Sequence, residues 1–297
     1  MPRTIRGADP RLGRALQSLR MRGLVSRLAR RAHAWRARGG ALPTATAARS
    51  GIEFRCNLCG AVSRLAPAAF DREAPSCDGC GSNVRFRAIG RLVVLELLGS
   101  EMALPDVEPR PDLHVLGLSD AGPYAVPLAA KFDYENTFFH AEPRLDITAP
   151  PRERIGRYDL LIASEVFEHV APPVARAFEG ARTLLKPGGA LVFSVPFSLA
   201  PDTVEHFPSL HDWSVVRERG RFRLRNRTAD GRDETFDDLV FHGGPGSTLE
   251  MRLFSRAGLE RAFAAAGFTH VRFADESCAR FGIAWPSPWS VPIVARA

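Results

Sequence analysis

No run of eighteen or more apolar residues occurs in this 297-residue sequence, which argues against a membrane-spanning helix. The Arg-rich opening is not followed by the apolar segment that a secretory signal requires, so a cytoplasmic protein is expected. Lysine is nearly missing: Lys131 and Lys186 are the only two among forty cations, so arginine abundance reflects genome composition more than guanidinium chemistry. Acids are equally scarce in residues 1–40, which hold eleven Arg and only Asp9, whereas the remainder has 29 basic against 32 acidic residues. The net charge of +7 is therefore the property of a tail, and the body offers no strong phosphate-attracting field.

What is present divides into three parts. Residues 1–50 form an Arg-rich extension whose Leu12, Leu16, Leu19, Leu24, Leu28 and Trp35 fall near helical spacing. It is expected to be partly helical or disordered, and such a segment could touch a membrane surface or RNA, or serve as an organelle presequence. Residues 51–104 carry short polar turns around cysteines, then VRFRAIGRLVVLELL (84–98), read as a helix. Prolines between 105 and 111 mark a joint, taken as a domain boundary.

From 112 to 297, apolar runs alternate with helical patterns: LHVLGL (113–118), TFFH (137–140), RLDI (144–147), YDLLIA (158–163), ALVFSV (190–195), THVRFA (269–274) and VPIVA (291–295). VARAFEGARTLL and AGLERAFAAAG have apolar residues three and four apart and end at glycine-containing stops. This alternation predicts an α/β fold with a doubly wound, mostly parallel Rossmann-like sheet, whose ligands sit beyond the carboxyl ends of its strands. Residues 201–251 form an insertion on the side expected to select the substrate.

Cys56-x2-Cys59 and Cys77-x2-Cys80 supply two tight pairs of soft ligands in a chain read as cytoplasmic, a pattern suited to tetrahedral structural zinc. Cys278 is left over and is read as a small buried hydrophobe. After YDLLIA come Ser164, Glu165, Glu168 and His169, charged residues where a buried strand emerges.

YDLLIASEVFEHV followed by LLKPGGALVFSVPF closely resembles the fourth and fifth strand motifs of class I S-adenosylmethionine-dependent methyltransferases. MRLFSRAGLERAFAAAGF resembles their late helix and sixth strand, and the cysteine module with GSNVRFR is similar to the zinc ribbon preceding some members. The resemblance implies methyl transfer from S-adenosylmethionine to an oxygen, nitrogen or carbon of a small molecule or saccharide. It assigns the cofactor turn to LHVLGLSDAGPY, through Gly117, Ser119, Asp120 and Gly122. Glu142 is the implied ribose partner, Asp146 the implied adenine partner, and Ser164 a further cofactor-side residue. Glu165, His169 and His206 are the catalytic candidates, with His211 near them.

Glu165-x-x-Glu168-His169 also resembles the ExxEH metal site of the small-RNA 2'-hydroxyl methyltransferases and the ubiquinone-pathway O-methyltransferases, which implies Mg2+ or Mn2+ there. Two alternatives stay open: an RNA methyltransferase, and a binding module that kept the fold but lost the cofactor turn. Nothing in the sequence sets the oligomeric state.

Overall fold

The apolar runs with both faces buried decide the architecture. The computed structural model describes residues 51–285 and 287–297, so the expectations for the Arg-rich extension lie outside the described residues. The described residues begin with a hairpin of β1 (Ile52–Arg55) and β2 (Val62–Leu65), continue into α1 (Val84–Leu98) and then β3 (Arg110–Leu118). There follow α2 (Gly122–Ala129), β4 (Phe132–Thr137), β5 (Tyr158–Ser164), α3 (Ala175–Leu184) and β6 (Leu185–Ser194). The insertion contributes the short β7 (Phe197–Ser198) and β8 (Val204–Glu205), then β9 (Asp212–Glu218), β10 (Arg221–Arg227) and β11 (Asp233–Phe236). After β12 (Phe241–His242), β13 (Thr248–Leu249) and β14 (Arg252–Ser255), the chain closes with α4 (Arg256–Ala265), β15 (Thr269–Phe273) and β16 (Ile293–Arg296).

The central sheet has the order β15-β16-β6-β5-β3-β4; β4, β3, β5 and β6 run parallel, and β16 is antiparallel to both its neighbours. The Rossmann-like expectation holds. Alternate strand residues face opposite layers. Val115, Leu160, Ile162 and Val192 join Val84, Ile89, Leu92 and Val93 of α1 in one apolar cluster. Leu116, Leu161, Leu191 and Phe193 join Phe178 of α3 and Phe263 of α4 in the other. There, Phe167, Phe178, Phe193 and Phe263 meet edge-to-face with centroids 5.0–5.3 Å apart, the arrangement their ring quadrupoles favour.

The boundary expected at 105–111 does not divide the fold. Gly51–Ala297 is one compact unit, and Phe54, Cys56, Leu58 and Cys77 belong to the same cluster as the sheet residues. The physical reason is that α1 buries its apolar side on the sheet, so the helix assigned to the cysteine module covers one face of the Rossmann core. Asn83 caps α1 by accepting from the Phe86 N–H (2.8 Å), and Gly99 ends it in the left-handed region.

The second strand differs from the expectation as well. It is β4, FDYENT, which takes in only Thr137 of TFFH, and RLDI forms no strand; Phe138 and Arg144 make an isolated bridge. β4 is a sheet edge, so it needs no continuous apolar run. The insertion folds as a β9-β10-β11 meander over its own small core of Phe207, Leu224, Leu249 and Met251. No described helix is long and apolar enough to cross a membrane.

Gly180 of α3 lets the 147–150 loop pack on the helix: a Cβ at this position would stand 1.8 Å from the Ile147 carbonyl oxygen. Gly180→Ala is expected to cost about 3 kcal/mol by overpacking against backbone, read as a lowered denaturation midpoint. An unchanged midpoint would contradict this packing.

Candidate active site

The carboxyl ends of β3, β5 and β6 are where the sheet's geometry places ligand chemistry. Two non-glycine residues there, Ser119 after β3 and Glu165 after β5, both have φ of 57°. Left-handed backbone is uncommon outside glycine, Asn and Asp, and such residues concentrate at functional turns. The Ser119 N–H donates to the Thr137 carbonyl (2.7 Å). Asn136 fixes the next residue from both sides: its Oδ1 accepts from the Asp120 N–H (2.9 Å) and its Nδ2 donates to the Asp120 carbonyl (3.0 Å).

Asp120 itself turns inward. Its two oxygens accept from Tyr124 and Tyr134 hydroxyls, each at 2.8 Å, and burial pushes its carboxyl up to about 7 despite those bonds. Gly117 is the corollary: a Cβ there would lie 2.3 Å from Asp120 Oδ2 and 2.5 Å from the Tyr134 hydroxyl. The smallness of Gly117 thus makes room for the Asp120–Tyr134 pair. At Gly122, a Cβ would meet open space.

Ser164 ends β5 opposite Ser194 of β6, and their hydroxyls are 2.9 Å apart. Arg85, at the start of α1, donates to Ser164 Oγ (2.6 Å), and Ser194 Oγ donates to Glu165 Oε1 (3.0 Å). Arg72, from the cysteine module, closes the group with 2.6 and 3.3 Å bonds to the Glu165 carboxylate. Burial alone would raise the Glu165 pKa, but the charge and hydrogen bond of Arg72, with Arg85 beyond, hold it below the ordinary carboxylate value. Glu73 links the two arginines by ion pairs to both. Ser164 and Glu165 are therefore brought together, whereas Glu142 and Asp146 spend bonds locally. Glu142, exposed in its turn, accepts from the Arg144 N–H (3.0 Å), and Asp146 accepts from the Thr148 N–H (2.9 Å) and hydroxyl (2.7 Å).

Glu165 is consequently not part of an ExxEH cluster with Glu168 and His169. Its carboxylate goes to Arg72, and His242 from the insertion stands beside the other two instead. Glu168 is 1% exposed and neither of its oxygens has a hydrogen-bond partner; burial, then the nearby Glu165 charge, drives its pKa far up. His169 Nδ1 meets the Leu249 carbonyl (2.8 Å), and burial lowers its pKa. Glu250 holds two imidazoles, His206 Nε2 at 2.9 Å and His242 Nε2 at 2.8 Å. Buried Arg252 secures the turn by donating to the carbonyls of Phe167 (2.8 Å) and Val170 (2.6 Å). His211 lies apart, its N–H bonded to Asn226 of β10.

Next to this group, His206, Phe207, Phe236, Asp237, Val240 and Glu250 line a cavity of about 420 Å3. A second cavity of about 290 Å3, by His114, Asp133 and Tyr158, involves the opposite, amino-terminal ends of β3, β4 and β5, away from the strand-end groups.

In the cysteine module the four sulfurs converge, with Cys56–Cys80 at 3.8 Å and Cys59–Cys77 at 3.6 Å. A tetrahedral ion with bonds of about 2.3 Å needs sulfur–sulfur edges of about 3.8 Å, so the donor set fits zinc. Fully buried Arg87 adds a second sign. It bonds to the Ser82 and Gly282 carbonyls and the Ser76 hydroxyl, its Nε has no partner, and the nearby charges acting on it are the cysteines. A buried guanidinium of this kind suits a dianionic zinc–tetrathiolate center. Cys278 is buried, as expected.

Sequence reasoning missed Arg72, Arg85, His242 and Glu250. GSNVRFR held the signal for Arg85, whereas His242 sits in HGGPG, a segment whose turn character hides the imidazole.

Because burial raises the Asp120 pKa, the neutral carboxyl is the stabilising form. Its contribution is complete below the ordinary value of 3.8 and is lost as pH rises through about 7. Between pH 5 and pH 8 the wild-type melting temperature should fall relative to that of Asp120→Asn, which has no such titration. Parallel curves would contradict the inward orientation of this carboxyl.

Residues 53–272 match the family described as "Methyltransferase domain". Over 61 residues, 20% of this chain, the sequence is 39% identical to the highly reducing polyketide synthase sor1 of Hypocrea jecorina (strain QM6a), of whose length the match spans 2%. Among solved structures, the Burkholderia thailandensis 1,6-didemethyltoxoflavin-N1-methyltransferase is 14% identical, with TM-score 0.39, over 70% of this chain and 77% of that one. CalS10, an amino pentose methyltransferase of Micromonospora echinaspora, is 16% identical, with TM-score 0.40, over 73% and 92%. With the family match spanning most of the chain and a Rossmann-like sheet beneath it, this protein belongs to the class I S-adenosylmethionine-dependent methyltransferases.

Proposed function

We propose that the enzyme transfers the cofactor's methyl group to an oxygen, nitrogen or carbon of a small-molecule or saccharide acceptor. The observation that carries this reading is the group at the strand ends, where Arg72, Arg85, Ser164, Glu165 and Ser194 converge beside the Ser119 turn. The cofactor's amino-acid end carries a carboxylate and an ammonium, and this group supplies a partner of each sign. Arg85 suits the carboxylate, Glu165 suits the ammonium, and Ser119, with the open space at Gly122, suits close approach of the rest. Glu142 and Asp146 remain the candidates for ribose and adenine, each needing to give up or share a turn bond to serve.

The cofactor supplies an electrophilic methyl, so the protein's task is to align the acceptor behind it. Where the acceptor loses a proton, His206 is the candidate base: it lines the 420 Å3 cavity and is held by Glu250. Glu165, bound to Arg72, positions that arginine instead of taking protons. The insertion that builds this cavity is the part that selects the acceptor. The near-neutral charge of residues 41–297 favours a small molecule over RNA.

The cysteine module would hold one structural zinc through Cys56, Cys59, Cys77 and Cys80, with no position left open for substrate. Its role is to fix Arg72 and Arg85 at the strand ends.

Calorimetry with S-adenosylhomocysteine tests the reading. The wild-type protein should bind it, and Arg85→Ala should bind it about 10–100-fold more weakly, the loss of one charged hydrogen bond. No binding by the wild-type protein would favour the non-catalytic module. A mercurial thiol reagent should release one zinc per chain and lower the unfolding temperature; an absence of thiol-bound metal would overturn the structural role of the cysteines.

A further inference from the structure

The side chains that line the 420 Å3 cavity are rich in hydrogen-bond acceptors and poor in donors. Asp237, Asp238 and Glu250 are carboxylates, and no Lys or Arg lines the cavity. Arg223 takes up Asp237 from outside, so that charge is already answered. Asp238 is exposed and makes no hydrogen bond or ion pair among the described residues. Glu250 accepts from His206 Nε2 (2.9 Å) with one oxygen and from His242 Nε2 (2.8 Å) with the other. Each carboxylate oxygen has two lone-pair sites, so Glu250 keeps capacity for a further donor. His206 Nε2 holds its proton for that bond, which leaves the lone pair of the neutral ring on Nδ1. Of the lining side chains only the Thr235 hydroxyl both donates and accepts.

The apolar part of the lining carries the same sign. Phe207 and Phe236 meet edge-to-face with centroids 5.0 Å apart and pack in the small core of the insertion, which holds this wall in place. An aromatic face is electron-rich and attracts a cation. The cavity is also tied to the strand ends. The His206 N–H donates to the Met251 carbonyl (2.9 Å), and the Met251 N–H donates to the Glu168 carbonyl (2.8 Å) in the turn after β5.

We propose that the methyl acceptor carries a positively charged amine, which this cavity holds through Asp238, Glu250 and His206. An ammonium group has three donors and no acceptor, the complement of this lining. A carboxylate or phosphate on the acceptor would meet acids and aromatic faces with no cation to answer it, so anionic compounds of the same size are refused. A neutral hydroxyl compound finds acceptors here but forgoes the charge-assisted bonds. The inference rests on the methyl-transfer reading only in naming the bound amine as the acceptor; the preference for a cation follows from the lining itself.

Calorimetry on the full chain, with and without saturating S-adenosylhomocysteine, tests this with two matched trios at neutral pH. One is glucosamine, glucose and glucuronate; the other is 2-phenylethylamine, 2-phenylethanol and phenylacetate. In at least one trio the amine is expected to bind, and its neutral and anionic counterparts to bind at least about 10-fold more weakly. Asp238→Asn should weaken the amine about 2–5-fold and leave the neutral compound unmoved, as for one exposed ion pair. Asp238→Lys should weaken the amine further and strengthen the carboxylate. Because Asp238 is exposed and unbonded, neither substitution threatens the fold. Asp133→Asn, at the opposite end of the sheet, should change nothing. No amine bound, a neutral or anionic counterpart bound as tightly, or amine binding unchanged in both Asp238 variants would each overturn the proposal. Protein that binds S-adenosylhomocysteine but no amine would sink this inference and leave methyl transfer standing. Protein that shows the amine preference but binds no S-adenosylhomocysteine would overturn the amine's role as acceptor together with the methyl-transfer reading.

Discussion

The hydrogen bond between Ser164 and Ser194 joins the polar groups at the carboxyl ends of the central strands. It exists because β5 and β6 run parallel and place these residues opposite each other at their carboxyl ends. From one hydroxyl the network runs to Arg85 and from the other to Glu165 and Arg72. Two of these groups come from residues that precede the sheet in sequence. The register of two central strands therefore decides where the charges of the cysteine module end up.

The cysteine module is part of the same core as the sheet. Phe54, Cys56 and Leu58 pack in the same cluster as α1 and the sheet, and Arg87 ties the module to the Gly282 carbonyl near the carboxyl end of the chain. Burying a guanidinium without a carboxylate partner is costly, and convergent thiolates resolve the cost if they hold zinc. A zinc ion held there would link helix packing to the position of Arg72 and Arg85.

Much of the fold was legible because burial on both faces leaves a strong signal. YDLLIA was placed at 158–163 and β5 spans Tyr158–Ser164; α1 was placed at 84–98 and is found there. β4 was misplaced because an edge strand reading FDYENT carries no apolar run, and α2 was missed because Pro123 and Pro127 break the usual helical pattern. The same asymmetry holds for the candidate site. Four cysteines in two tight pairs announce their convergence, since spacing alone fixes it. The direction of Glu165 depends on a left-handed φ, which sequence does not encode in a Glu. The inward turn of Asp120 depends on two tyrosines, one on α2 and one on β4. His242 comes from an insertion with its own small core, so no local pattern could pair it with His169.

The proposed cofactor position is where the cysteine module meets the ends of β3, β5 and β6. Hydrogen–deuterium exchange with and without S-adenosylhomocysteine examines it directly. Slowed exchange is expected in three separated segments, residues 118–124, 163–169 and 71–86. Protection that spared residues 71–86, or that appeared instead around His114 and Asp133 at the opposite end of the sheet, would contradict it.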